Sequence, residues 1–277
     1  MGTFVKHFTI VVGIAALIVL SIAYPFLPGG HDRLAVPLST MAQVCGILGL
    51  PLVPIGLWWL AVPRRGFVPA VLSMAAGTFV ANILALFATL SVGKALGMLT
   101  LAVWVYVLIR LLPRLTRARR VDGDPFNPVP LYLVLLPVIA LISQLALAGP
   151  VTRSSRDRAI ANASELITEI EAYRARHGRY PRSLHAQHRD YDANVVGVER
   201  YVYAPGGDGY NLSFEQPKFF LDRFGTREWV VYNPRNEHRL FSHAAWLLRS
   251  SEELYTSQGW YASGETGHQG WKYFWFD

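Results

Sequence analysis

Five long apolar stretches separated by short arginine-bearing loops fill residues 1–150, whereas residues 151–277 mix apolar and polar positions at ordinary helix and strand spacings. A helix rises about 1.5 Å per residue and needs roughly 20 apolar residues to cross the hydrocarbon layer of a bilayer. Transmembrane helices are therefore predicted near residues 8–27, 41–62, 67–90, 95–112 and 130–148. The first three contain no Asp, Glu, Lys or Arg. The fourth is the shortest, with 15 residues between Lys94 and Arg110, and both flanking side chains can snorkel toward the headgroups. Five such stretches in succession, with no amphipathic helix between them, argue against buried helices of a water-soluble protein. Pro51 and Pro54 predict a kink in the second span and Pro137 one in the fifth, because each removes a helical N–H and crowds the preceding turn. Along the third span Ser73, Gly77, Ala81, Ala85 and Thr89 recur every four residues. That is a strip of small side chains against which another backbone packs closely, either the fourth span or a second copy of the chain in a homo-oligomer.

Residues 151–277 read as an α+β domain. Ile160, Ala163, Leu166, Ile167, Ile170 and Tyr173 lie on one helical face, with Ser154 or Ser155 as the expected N-cap and Gly178 followed by Pro181 as the stop. Residues 199–204 and 210–215 flank Pro205-Gly206-Gly207-Asp208-Gly209 and predict a hairpin. Residues 228–233 and 271–276 read as further strands, and residues 244–254 as a short helix. The whole is one long helix packed on a small antiparallel meander.

Charge is informative once the chain is divided. Residues 1–150 hold ten Lys and Arg against three Asp and Glu, a net charge of +7, and residues 151–277 hold 16 against 16. The basic excess thus belongs to the loops between spans and does not indicate nucleic acid. Lys6, Arg64, Arg65, Arg110, Arg114, Arg117, Arg119 and Arg120 fall on one side of the predicted membrane, and only Arg33 and Lys94 on the other. Short loops rich in Lys and Arg stay cytoplasmic. The expected location is a bacterial inner membrane, with the N-terminus cytoplasmic and the C-terminal domain periplasmic. Ser21-Ile22-Ala23 has the small-residue spacing of a signal-peptidase site, but Tyr24-Pro25 directly after it argues for a retained first span.

The order Ile170-Glu171-Ala172-Tyr173, His177-Gly178-Arg179-Tyr180-Pro181, Tyr201-Val202-Tyr203 and Gly209-Tyr210-Asn211-Leu212-Ser213-Phe214 resembles the globular part of type II secretion pseudopilins and related pilin-like domains. In those domains a helix ending in a Gly-x-Tyr-Pro segment lies across a small antiparallel sheet. The likeness covers residues 155–233 and implies a fold and an association with envelope machinery. It does not extend to filament assembly, because the four further spans would prevent extraction from the membrane and no prepilin-peptidase site precedes the first. Gly149-Pro150 is also expected to interrupt the continuous helix that pilins run from membrane to head.

Chemical motifs are sparse. Cys45, in the second span, is the one cysteine, so thiol catalysis, disulfides and cysteine-ligated zinc are not expected in the C-terminal domain. The pairs His185 with His188 and His238 with His243 lack a third ligand at a metal spacing. Ser242-His243 with Asp222 has no nucleophile-elbow context, and adjacent Glu252 and Glu253 would point different ways on a helix. No catalytic residue, metal or cofactor is assigned. In the short loops, His31-Asp32 is all that a membrane-embedded enzyme of envelope lipid or glycan metabolism would have to work with. A signal sensor would need a cytoplasmic output domain that the chain does not show. The C-terminal aromatics Trp260, Tyr261, Trp271, Tyr273 and Trp275 are either core or a binding surface for glycan rings or the membrane interface. On a strand, Trp271, Tyr273 and Trp275 share one face. The expected role is a non-enzymatic scaffold or assembly subunit whose partners are the lipid bilayer and an envelope protein or glycan.

Overall fold

The computed structural model describes residues 2–61, 67–118, 127–184, 191–206, 208–222, 226–238 and 260–276, with backbone alone at residues 2–4, 112, 114–118, 260 and 261. The chain forms two compact units, Met1–Ala23 with Pro37–Ala146 and Tyr24–Val36 with Leu147–Asp277. The loop between the first two apolar stretches therefore belongs to the second unit, a placement the sequence did not predict.

In the first unit, α1 (Gly2–Ala23), α2 (Ala35–Gly49), α3 (Leu52–Ala61), α4 (Phe67–Ser91), α5 (Lys94–Ala118) and the first part of α6 (Val129–His177) follow the predicted stretches. Four helices are long and apolar enough to cross a membrane: Val5–Phe26, Phe67–Ser91, Lys94–Leu111 and the apolar part of α6. The pair α2 and α3 passes the same test but is bent by 50°. The bend falls at Pro51 and Pro54, as the missing amide hydrogens require. The small-residue strip of α4 lies on α5. A Cβ on Gly77 would stand 2.6 Å from the Trp104 ring, and one on Gly97 would stand 2.7 Å from the Ala85 carbonyl. Trp104 Nε1 donates to Thr78 Oγ1 at 3.2 Å. Of the two expected partners for the strip, the fourth span is the one seated on it.

A second close approach joins α2 and α3 to α6. A Cβ on Gly46 would meet that of Ala140 at 2.5 Å, one on Gly49 the Pro137 ring at 2.9 Å, and one on Gly56 the Val134 side chain at 2.8 Å. Here Gln144 Nε2 donates to the Gln43 carbonyl at 3.1 Å, Gln43 Nε2 to Ser39 Oγ at 3.0 Å, and Ser39 Oγ to the Ile22 carbonyl at 2.7 Å. The bonds from Gln144 to α2 and from Ser39 to α1 join different helices, while the buried Oε1 of Gln144 has no partner among the described residues.

α6 corrects the predicted break. It runs as one helix through Gly149-Pro150 to His177. Proline removes one hydrogen bond and crowds one turn, but the turns on either side are held independently. Residues 140 and 144 pack before it; Ala159, Ile160, Ala163, Leu166 and Ile170 pack after it. Ser155 consequently is not an N-cap. It lies inside the helix, its Oγ donating to the Thr152 carbonyl at 2.9 Å. The predicted end is as expected: Gly178 adopts φ 71° and its N–H donates to the Arg174 carbonyl at 2.8 Å.

The sheet of the second unit is antiparallel in the order β1-β2-β3-β5-β4, with β1 (Val202–Gly206), β2 (Gly209–Gln216), β3 (Arg227–Tyr232), β4 (Trp260–Glu265) and β5 (Trp271–Phe276). It is not a simple meander, because β5 inserts between β3 and β4. The hairpin falls where predicted, with Gly206 opposite Gly209. β4 was not predicted. Its Ala262-Ser263-Gly264-Glu265 run has low strand propensity, and Gly264 is required because a Cβ would collide with the Tyr273 ring. The expected helix at 244–254 lies outside the described residues.

One sheet face packs on the apolar stripe of α6, burying Tyr210, Leu212, Phe214, Val230 and Trp271 among Ala163, Leu166 and Ile170. The other carries a smaller buried cluster of Trp229, Val231, Phe274 and Phe276. The loop Tyr24–Val36 lies against residues 194–197 through four backbone hydrogen bonds. Gly29 N donates to Asn194 O at 3.4 Å, Val196 N to Leu27 O at 3.0 Å, Asp32 N to Val196 O at 2.9 Å and Gly197 N to Pro25 O at 2.7 Å. Gly197 is needed there, since a Cβ would stand 2.7 Å from the Pro25 carbonyl.

Candidate binding face

Strand alternation places Trp271, Tyr273 and Trp275 together, as their period of two requires, and the face they share is the one turned to α6. Trp271 is 3% exposed, its ring 5.3 Å from that of Tyr232 and 5.9 Å from that of Phe214. It is a core residue and cannot stack on a ligand. Tyr273 is half-buried beneath Arg156 of α6, whose guanidinium carbon lies 4.4 Å from the ring centroid. Trp275, also half-buried, donates its Nε1 to Glu228 Oε2 at 2.7 Å. Trp260 and Tyr261 sit on edge strand β4, at an irregularity in its register with β5, and their side chains lie outside the described residues.

What unites this end of the face is a carboxylate. Glu228, 1% exposed, points from β3 toward α6, where its Oε1 accepts from Arg156 Nη2 at 2.5 Å. The Trp275 indole occupies its other oxygen. Beside it, Gln216 of β2 donates Nε2 to Ser155 Oγ at 2.7 Å. Gln216, Glu228 and Trp275 form one row across three strands, facing Ser155 and Arg156 on the helix. A buried ion pair of this kind offsets its desolvation only when its geometry is complete. Both carboxylate oxygens accept a hydrogen bond and Arg156 also covers an aromatic ring, whereas its buried Nε has no partner among the described residues. The row therefore fixes the rotation and register of α6 over the sheet. Sequence reasoning missed it, although Glu228 stands out beside the apolar Trp229-Val230-Val231 run.

The remaining candidates are dispersed. His238 is half-buried and donates Nε2–H toward the carbonyls of Val231 and Gly270, at 3.1 and 3.0 Å. Burial holds its pKa below the ordinary histidine value. His185, His188, Ser242, His243, Glu252 and Glu253 lie outside the described residues. Asp222 closes a turn, its N–H donating to the Phe219 carbonyl at 3.0 Å. Asp32 serves as a local cap: Oδ1 accepts from Leu34 N and Oδ2 from the Tyr24 hydroxyl, each at 2.9 Å. The Leu34 amide, followed by that hydroxyl, holds its carboxyl below the usual range. Among the described residues no group of three or more His, Cys, Asp or Glu side chains is placed to hold a metal ion.

Comparison of the chain with protein-family profiles, with curated proteins and with solved structures finds no match.

Proposed function

We propose that this chain is a five-span protein of a bacterial inner membrane that presents a periplasmic α+β domain as a non-enzymatic scaffold or assembly subunit for an envelope protein or polymer. The observation that carries the topology is the pairing of Tyr24–Val36 with residues 194–197. Segments hydrogen-bonded to each other share one side of a bilayer, so the chain between them crosses an even number of times. α4, α5 and α6 account for three crossings, and the bent α2–α3 pair supplies the fourth. Read instead as a re-entrant loop, that pair would leave an odd count. Adding α1 makes five. The eight Lys and Arg on the opposite side, against two on this one, orient the N-terminus to the cytoplasm.

The scaffold reading draws on the same geometry. Glu228 and Asp32 each accept two hydrogen bonds that tie separate parts of the fold together. The resemblance to pilin-like domains is supported by the unbroken α6 lying across the sheet and by its Gly178-Arg179-Tyr180-Pro181 ending. There the Tyr180 ring lies 5.0 Å from that of Tyr210, and Tyr203 donates its hydroxyl to the Pro181 carbonyl at 2.8 Å.

Alkaline phosphatase and green fluorescent protein fused in parallel after Arg65 and after Asp277 test the topology. The expected result is fluorescence without phosphatase activity at Arg65 and the reverse at Asp277. Phosphatase activity at Arg65 would refute the fourth crossing. Photo-crosslinking from the Asp208 turn tests the role, for which discrete protein adducts are expected. Turnover of envelope lipid or glycan by the purified protein would replace the scaffold reading with an enzymatic one.

A further inference from the structure

Among the described residues of the second unit, four large apolar side chains are exposed: Leu27, Leu34, Val36 and Leu221. Leu27 and Leu34 lie in the loop between α1 and α2 and Val36 in the first turn of α2, so covalent connection alone keeps them at the ends of those helices. The fourth is distant in sequence. Leu221, 46% exposed, occupies the tip of the turn 219–222 between β2 and β3, with half-buried Phe220 beside it.

Tertiary structure draws this turn to the same place. Phe219, just before the tip, stacks on Phe26 with ring centroids 4.7 Å apart and planes 19° from parallel. Phe26 is the last residue of the first candidate span, Val5–Phe26. Pro217 also approaches Gly197, which is bonded to the Pro25 carbonyl. The base of the turn is pinned by Lys218, whose Nζ donates to the Thr226 carbonyl at 2.8 Å and to the Thr226 hydroxyl. Half-buried Phe220 and exposed Leu221, beside the residue that ends a candidate span, present apolar surface of the kind that lies in the headgroup layer of a bilayer. Asp222 closes the turn, its N–H donating to the Phe219 carbonyl at 3.0 Å.

We propose that the turn 219–222 rests in the interfacial layer of the bilayer crossed by α1, with Phe220 and Leu221 dipping among the lipid headgroups. This second attachment holds the β2–β3 end of the sheet to the membrane. It rests on the reading of α1 as a span, and the test separates the two. In a Cys45→Ser background, nitroxide spin labels are placed at Leu221→Cys, at Leu17→Cys in α1 and at Asp208→Cys, in the full chain reconstituted in liposomes of phosphatidylethanolamine and phosphatidylglycerol. Leu17 is 64% exposed, and the Asp208 side chain 84% exposed at the opposite end of β2 from the turn. Leu34→Cys gives an independent reading from the neighbouring loop.

Collision with oxygen is expected to exceed collision with a water-soluble nickel chelate at positions 17, 34 and 221, and the reverse at 208. Lipid exposure at 17 with water exposure at 221 would overturn the anchor and leave the span intact. Water exposure at 17 would overturn both. Occlusion from both reagents at 221 would assign the turn to a protein partner and overturn the lipid contact.

Discussion

The two units of this protein solve the packing problem with opposite residues. Among the apolar helices of the first, many large side chains point outward, as in Leu17 at 64%, Leu86 at 61% and Leu90 at 77% exposure, while Ala81, Ala85, Ala88 and Ala140 are buried beside a few larger residues such as Ile22 and Trp59. In the second, the fully buried side chains include Tyr210, Phe214, Phe219, Phe276, Leu166, Ile170 and Leu212. The first pattern is what lipid around helices long and apolar enough to cross a membrane would produce, and the second is what water produces. Lipid tails are as apolar as leucine, so helices gain nothing by hiding leucine from them and associate through close contact at small residues and shared hydrogen bonds. Water imposes the opposite order, because each buried large side chain contributes about 1.5–3 kcal/mol.

Truncating a large side chain tests that contrast most severely. Trp271→Ala should cost the second unit about 3–5 kcal/mol, whereas Leu86→Ala on the outer face of α4 should change stability by less than about 0.5 kcal/mol. Thermal unfolding of the purified full chain in nanodiscs measures both. Equal losses would mean that the outward leucines of α4 are covered by protein.

Of comparable size is the loss on opening the buried ion pair. Arg156→Ala leaves Glu228 without its cation and should cost about 3–5 kcal/mol, while the double substitution Arg156→Met with Glu228→Leu should restore most of it. If the double variant is as unstable as the single one, the pair contributes more than mutual neutralisation.

Small residues should show the reverse sensitivity. Gly46→Val forces a side chain against Ala140 and should cost the first unit about 1–3 kcal/mol. Gly149→Ala meets nothing within 4 Å and should stabilise α6 by about 0.5–1 kcal/mol. Proteolysis in nanodiscs distinguishes them, and a neutral Gly46→Val would mean that α2 and α6 are farther apart than described.

The smallest expected effect is set by pH. Because burial lowers the His238 pKa below its unfolded value of about 6.5, the folded state binds fewer protons than the unfolded one just below that pH. The associated stability is complete above about pH 6.5 and is lost as pH falls from there through the folded pKa. His238→Gln keeps a donor for Val231 and Gly270 without the titration and should flatten the thermal-stability profile between pH 6.5 and 5. An unchanged slope would assign the acid sensitivity to another group.

How much of this was legible beforehand follows from the range of the forces involved. The apolar stretches, the break between α2 and α3 at Pro51, the small-residue strip, the α6 stripe, the Gly178 stop and the β1–β2 hairpin are all set within a few residues and were legible, although four helices and one bent pair stand where five spans were expected. β4 was not, because its small residues are dictated by the Tyr273 ring of another strand. Ser155 was read as a cap, because local preference favours a cap at serine while the helix on either side of Pro150 is held by distant contacts. The aromatic alternation of β5 was correct, but which neighbour covered that face lay beyond local pattern.

Sequence by itself thus determined the apolar helices, the charge asymmetry of their loops and the α+β character of the C-terminal half, since hydrophobic period, proline, glycine and charge act on the nearest turn or strand pair. Only tertiary structure decided that α6 is continuous, that the Tyr24–Val36 loop joins the C-terminal unit, that Glu228 meets Arg156 and Trp275, and that Phe219 meets Phe26. Each of these depends on residues far apart in the chain, whose pairing is selected by the packing of the whole unit and leaves no periodic trace in either segment alone.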